Sequence, residues 1–231
     1  MPRPHPRRIA TPLLAALVAA AGSGMAHRAA AQAVPQAAAT PSASNIAALA
    51  KARADSARHL FTEADVRFMT GMISHHAQAI LMAGWAPTHG ASPSVRTLCE
   101  RIINAQRDEI VTMQQWLRDR GQPVPEPSPH GMKMTMNGAE HTMLMPGMLT
   151  DAQLAQLDSA RGPEFDRLFL TFMIQHHRGA IAMVKDLFDT YGAAQDELAF
   201  KLASDINADQ TTEIARMQRM LIALTLANDS L

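Results

Sequence analysis

The sequence predicts an all-α protein, a four-helix bundle assembled from two repeated helical hairpins. Three observations carry that prediction. First, "FMTGMISHHAQAILM" at residues 68 to 82 returns as "FLTFMIQHHRGAIAM" at residues 169 to 183. Second, apolar residues around both copies recur at helical spacing, while period-two alternation with β-branched residues is nowhere sustained, so strands are not expected. Third, a hairpin of two amphipathic helices buries only one face, so two copies must pair to close a core.

The elements follow in order. Residues 1–33 read as a signal segment: "MPRPHPRR" is basic, "IATPLLAALVAAAG" is apolar, and "AAAQA" offers small residues for cleavage after Ala33. The expected location is therefore periplasmic or secreted, with an uncleaved N-terminal membrane anchor as the alternative. Residues 34–59 begin with the linker "VPQAAATPSAS" and continue into an Ala-rich lead-in helix from about Asn45.

The bundle occupies 60–226. In the first hairpin, about 62–120, Thr62 is the N-cap and Asp65 stands three residues on, in the position of a capping-box acid. That helix runs to about Trp85, and "PTHGASP" ends it. Ser92 followed by Pro93 opens the second helix, which closes near Arg120 before Gly121. The connection, 121–162, contains a Met/His-rich loop and a short extra helix capped by Thr150 and Gln153. In the second hairpin, 163–226, Gly162-Pro163 opens a helix reaching Tyr191, and the last helix runs from about Ala194 to Leu226.

Composition narrows the function classes. Removing Arg3, Arg7, Arg8 and Arg28 with the signal segment leaves 17 of the 21 basic residues against 21 acidic ones. A mildly acidic chain without a basic stripe is a poor nucleic-acid binder. About 200 remaining residues suit one core. Cys99 is the only cysteine, so an internal disulfide is excluded; it lies in a helical pattern and reads as a buried, inert thiol.

The repeat supplies the candidate ligands. At about 100° per residue, Asp65, Met69, Met72, His76 and Ala79 share one stripe, with His75 at its margin. Asp166, Leu170, Met173, His177 and Ala180 do the same, with His176 at the margin. The partner helices offer Gln106, Glu109, Ile110 and Met113, then Gln210, Glu213, Ile214 and Met217. Folding each hairpin over brings His76 near Gln106 and Glu109, and Met72 near Glu109 and Met113. For one hairpin alone, a methionine core with satisfied His–Glu pairs explains this pattern.

The connection tips the balance toward metal. "HGMKMTMNGAEHTMLMPGM", residues 130 to 148, holds six methionines and two histidines. Met132, Met134 and Met136 at spacing two line one side of an extended segment, as do Met143 and Met145; His130 and His141 lie beside them. A surface loop gains little packing from exposed methionines and risks their oxidation. Thioethers select Cu(I), and imidazole suits both Cu(I) and Cu(II).

At "DVRFMTGMISHHAQAILM", "AQRDEIVTMQQWL", "PGMLTDAQLAQLDSARGPEFDRLFLTFMIQHHRGAIAM" and "ADQTTEIARMQ" the sequence resembles the DUF305 family. This is a ferritin-like four-helix group that includes secreted copper-binding proteins of the CopM type. The resemblance covers about residues 60 to 222. It implies a periplasmic or secreted protein for copper sequestration, buffering or resistance, and no established reaction. The first copy departs, with "HHAQA" against "HHRGA", which marks its site as the weaker one.

The expected ligands are thus His75, His76, Met72, Met113, His176, His177, Met173 and Met217 on the bundle. His130, Met132, Met134, Met136, His141, Met143 and Met145 stand in the connection. Asp65, Glu109, Asp166 and Glu213 stand behind the imidazoles. The expected cofactor is copper, as Cu(I), Cu(II) or both, and the partners are the metal ion and a copper-handling protein. No small-molecule substrate is indicated, and capture rather than catalysis is expected. Two alternatives remain open: a ferritin-like metal-dependent oxidoreductase, which lacks its Glu-x-x-His motif here, and a structural or partner-binding bundle without metal.

Overall fold

A computed structural model describes residues 42–48, 51, 60–136 and 139–228. The expected signal segment, almost all of the linker and most of the lead-in helix lie outside the described residues; 43–48 form a short helical stretch. The elements labelled below are α1 (Glu63–Gly84), α2 (Pro93–Asp119), β1 (Met132–Met136), β2 (Ala139–Met143), α3 (Asp151–Ser159), α4 (Gly162–Asp189) and α5 (Glu197–Asn228).

Local chemistry starts these helices where the sequence places them. Thr62 and Asp65 form a reciprocal capping box on α1, and Thr150 and Gln153 form another on α3. Ser92 caps α2, with Pro93 at its first position. The last helix starts three residues later than expected. Ala194 takes a left-handed backbone (φ 54°), and Asp196 accepts the Ala199 N–H at 3.0 Å as the cap.

α1 packs on α2 and α4 on α5 as antiparallel hairpins; α1 and α4 join the hairpins, whereas α2 and α5 meet only sparsely. Two apolar clusters result. One combines the end of α1 and start of α2 with the start of α4, around Leu98, Ile102, Phe165, Phe169, Met173 and Met217. The other combines the start of α1 and end of α2 with the end of α4, around Met69, Met72, Met113, Trp116, Leu117 and Ile206. Such burial stabilises by roughly 25 cal/mol per Å².

The methionine connection corrects the expectation of no strands. β1 and β2 pair antiparallel, with Met132 opposite Met143, Met134 opposite His141 and Met136 opposite Ala139. The unbranched methionines gave no β-branched signal, so only their spacing of two hinted at extended backbone. Directly opposed residues share a sheet face. The register therefore places Met132, His141 and Met143 on one face.

Candidate metal centre

His75, His76, His176 and His177 lie midway along α1 and α4, between the two apolar clusters, and all four are fully buried. The margin positions assigned to His75 and His176 need correction. Each faces the other hairpin across the α1–α4 contact, so both sides of the stripe are covered. Their rings meet with centroids 3.7 Å apart at 38°. His76 and His177 instead turn toward the partner helix of their own hairpin.

There the His76 Nε2–H donates to Glu109 Oε2 at 2.6 Å, and the His177 Nε2–H donates to Glu213 Oε2 at 2.7 Å. The carboxylate acceptors place the proton on Nε2 and leave the Nδ1 lone pair bare. The His75 Nε2–H donates to the Pro146 carbonyl at 3.1 Å, again leaving Nδ1 bare. Among the described residues, Nδ1 of all four histidines and Nε2 of His176 have no hydrogen-bond partner. Burial lowers the His75 pKa well below its ordinary value, assisted by His76; burial, then His75, does the same to His176. Both are neutral imidazoles at pH 7. Each unsatisfied buried polar atom costs about 1–3 kcal/mol, so this layer is expensive for a purely structural core.

A strap, residues 145–149, crosses the layer on the α1–α4 side. Gln78 clamps it: its Nε2 donates to the Leu149 carbonyl at 3.0 Å and the Pro129 carbonyl at 2.8 Å, and its Oε1 accepts the Leu149 N–H at 2.6 Å. On α4 the equivalent residue is Gly179, where a Cβ would stand 1.9 Å from the Pro146 carbonyl oxygen. The difference between "HHAQA" and "HHRGA" is thus the clamp and the passage of one strap. It does not by itself mark a weaker first site.

On the opposite side, the sparse α2–α5 contact leaves a cleft of about 130 Å³, lined by Arg101, Gln106, Glu109, Asp209, Gln210 and Glu213 among others. Burial raises the Asp209 pKa, and Glu109, Glu213 and Asp205 raise it further. Gln106 and Gln210 are each only 3% exposed. Among the described residues, Gln106 Oε1 and both amide atoms of Gln210 lack partners.

The remaining candidates divide. Met72, Met113, Met173 and Met217 are fully buried beside the layer's two flanks. Asp65 and Asp166 do not orient imidazoles, which corrects their expected role. Asp65 Oδ2 accepts the Thr62 N–H at 2.8 Å and its Oδ1 accepts the Ala194 N–H at 2.7 Å. Asp166 accepts the Ser92 N–H at 3.2 Å through both oxygens. Each aspartate therefore pins the interhelical turn of the other hairpin. Met145 packs as part of the strap, its Sδ 2.8 Å from where a Cβ of Gly71 would stand, and so leaves the methionine face. His130 is exposed and its Nδ1 lies 2.9 Å from Asp151 Oδ1, at the start of α3. His141 and Met143 are exposed on β2.

Sequence reasoning missed Gln78, Pro146 and Asp209. Asp209 had a visible signal, since it precedes Gln210 where Ala105 precedes Gln106. Among the described residues, no three His, Cys, Asp or Glu side chains converge to hold a metal, so thioethers would have to complete any soft-metal site on the bundle.

A family model, domain of unknown function DUF305, matches residues 65–221. The chain belongs to this family. The DUF305 chain is similar in structure to a DUF305 protein of Streptomyces coelicolor, with TM-score 0.59 and 28% identity over 70% of this chain and 94% of that one. It is also similar to CopM in a Cu(II)-bound form, with TM-score 0.54 and 29% identity over 69% of this chain and 96% of that one. The Cu(I)-bound form of CopM gives TM-score 0.51 and 30% identity over 68% and 94% of the two chains. An uncharacterized protein, L153, of Acanthamoeba polyphaga mimivirus is 36% identical over 56 residues, 24% of this chain; the DUF305 chain spans 37% of that relative's length.

Proposed function

We propose that this DUF305 protein is an extracytoplasmic copper-binding protein that captures the metal rather than turning over a substrate. The carrying observation is the pair of carboxylate–imidazole contacts, His76–Glu109 and His177–Glu213. Metal-ligating histidines commonly donate one ring N–H to a carboxylate while the other nitrogen holds the ion. Here the second nitrogen is buried and without a partner among the described residues in both copies.

In this reading His75, His76, His176 and His177 supply nitrogen, and Met72, Met113, Met173 and Met217 supply the soft sulfur. The β-hairpin, through the face carrying Met132, His141 and Met143 and the further methionines of β1, Met134 and Met136, takes Cu(I) first at the surface. Thioethers need no deprotonation and, unlike thiolates, are not lost to disulfides in an oxidising compartment. The Cu(I) and Cu(II) forms of CopM support copper as the cargo. The basic and apolar segments at 1–33 support export.

Competition titrations of the purified protein with Cu(I) and Cu(II) chelators test the reading. Glu109→Gln and Glu213→Gln are each expected to weaken bundle binding about 10–100-fold. Replacing Met132, Met134, Met136 and Met143 by Leu is expected to remove a Cu(I)-selective site and leave Cu(II) binding in place. Copper affinity unchanged in His76→Ala/His177→Ala would overturn the bundle site.

A further inference from the structure

The cleft between α2 and α5 has a chemistry different from that of the histidine layer beneath it. Its donors are oxygen: Glu109, Glu213 and Asp209, with the side-chain amides of Gln106 and Gln210. Neither sulfur nor thiol lines it. Each glutamate gives one oxygen to an imidazole and keeps the other. Three carboxylates face a single guanidinium, that of Arg101.

We propose that this cleft is a separate site for a hard divalent cation of the Mg2+ or Mn2+ class, bound with part of its water shell. Three features carry the inference. The Gln106 carbonyl oxygen and the whole Gln210 amide are buried at the cleft without partners among the described residues. A cation and its waters satisfy such groups, which otherwise cost about 1–3 kcal/mol each. The donors surround a space of about 130 Å³ instead of converging on one point. That suits an ion such as Mg2+, which dehydrates reluctantly and keeps several waters.

The third feature is a break in the repeat. Gln106 and Glu109 have copies in Gln210 and Glu213, but Asp209 stands where the first copy has Ala105. Duplication of a core explains the paired residues and leaves this added carboxylate unexplained. A cation site gives Asp209 a role, and it supplies the charge that sets affinity.

The experiment uses the purified, copper-free protein and Mn2+ alone, with free Mn2+ followed by electron paramagnetic resonance. One saturable site is expected, displaced by Mg2+. Asp209→Ala, which restores the repeat's own residue on an exposed position, is expected to weaken Mn2+ binding at least about tenfold. The same variant should keep its thermal midpoint and its Cu(I) affinity, which separates this site from the copper reading. Gln106→Leu/Gln210→Leu provides a second test at the buried donors, with a similar loss expected. No saturable binding at millimolar Mn2+, or equal binding by the parent and Asp209→Ala, would overturn the proposal.

Discussion

Acidification should destabilise this protein through two identified imidazoles. His75 and His176 are fully buried, and burial holds both pKa values well below 6.5. In the unfolded chain they take up protons near pH 6.5; in the folded chain they do not. The unfolded state then binds two more protons, so stability is complete above that pH and is lost as pH falls below it. Two protons correspond to a slope of about 2.7 kcal/mol per pH unit. The measurement is urea unfolding of the metal-free protein between pH 8 and pH 5.5, compared with His176→Asn. Over the whole range the parent should lose about 3 kcal/mol through these two groups, the slope approaching its limit only near pH 5.5, and the variant about half that. All other histidines cancel in the comparison. Equal slopes in parent and variant would refute the reasoning, because His176 would then exchange no proton on unfolding.

Three further outcomes follow from particular contacts. Gln78→Met keeps side-chain length but strips the clamp from Leu149, whose buried N–H and carbonyl it bonds at 2.6 and 3.0 Å; urea unfolding should show a loss of about 2–5 kcal/mol. Gly179→Ala should cost about 1–3 kcal/mol by pushing the strap off α4, because its Cβ meets backbone at 1.9 Å; Gly84→Ala, with nothing within 4 Å on an exposed helical position, is the control and should cost nothing or gain up to about 1 kcal/mol. Cys99 is buried, and burial followed by Asp166 raises its thiol pKa to about 12. It should resist iodoacetamide at pH 8 in the folded protein and react promptly once the chain is unfolded.

Local chemistry was legible in the sequence and long-range chemistry was not. Thr62 with Asp65, Thr150 with Gln153, and Ser92 with Pro93 announce helix starts within four residues, and the helices begin there. The approach of His76 to Glu109 follows from folding one hairpin over a short turn. The second job of Asp65 was hidden because its partner Ala194 is 129 residues away. The facing of His75 and His176 depends on how α1 packs on α4, which helical periodicity within one hairpin does not specify. The strap was illegible for the same reason. Its only trace was the Gln78/Gly179 mismatch, which reads as decay of a repeat until the crossing chain is seen.

The two His–Glu pairs decide whether the layer serves the fold or the metal. A buried charged pair can often be replaced by apolar residues of similar volume at no loss, or with a gain of about 1–4 kcal/mol, so stability alone is a weak reason to keep one. His76 is fully buried and its Glu109 partner is only 16% exposed, so the conditions for that exchange hold. Replacing both residues together, as His76→Leu with Glu109→Met, avoids stranding either partner. The expected result is an unfolding free energy equal to or above that of the parent, accompanied by loss of copper from the first hairpin. The second hairpin, with His177 and Glu213 intact, keeps its copper and serves as an internal reference. A variant that instead loses more than about 2 kcal/mol while binding copper as before would assign the pair to the fold. The unpartnered Nδ1 atoms argue for the first outcome, since a core selected for stability has no reason to bury lone pairs that nothing among the described residues fills.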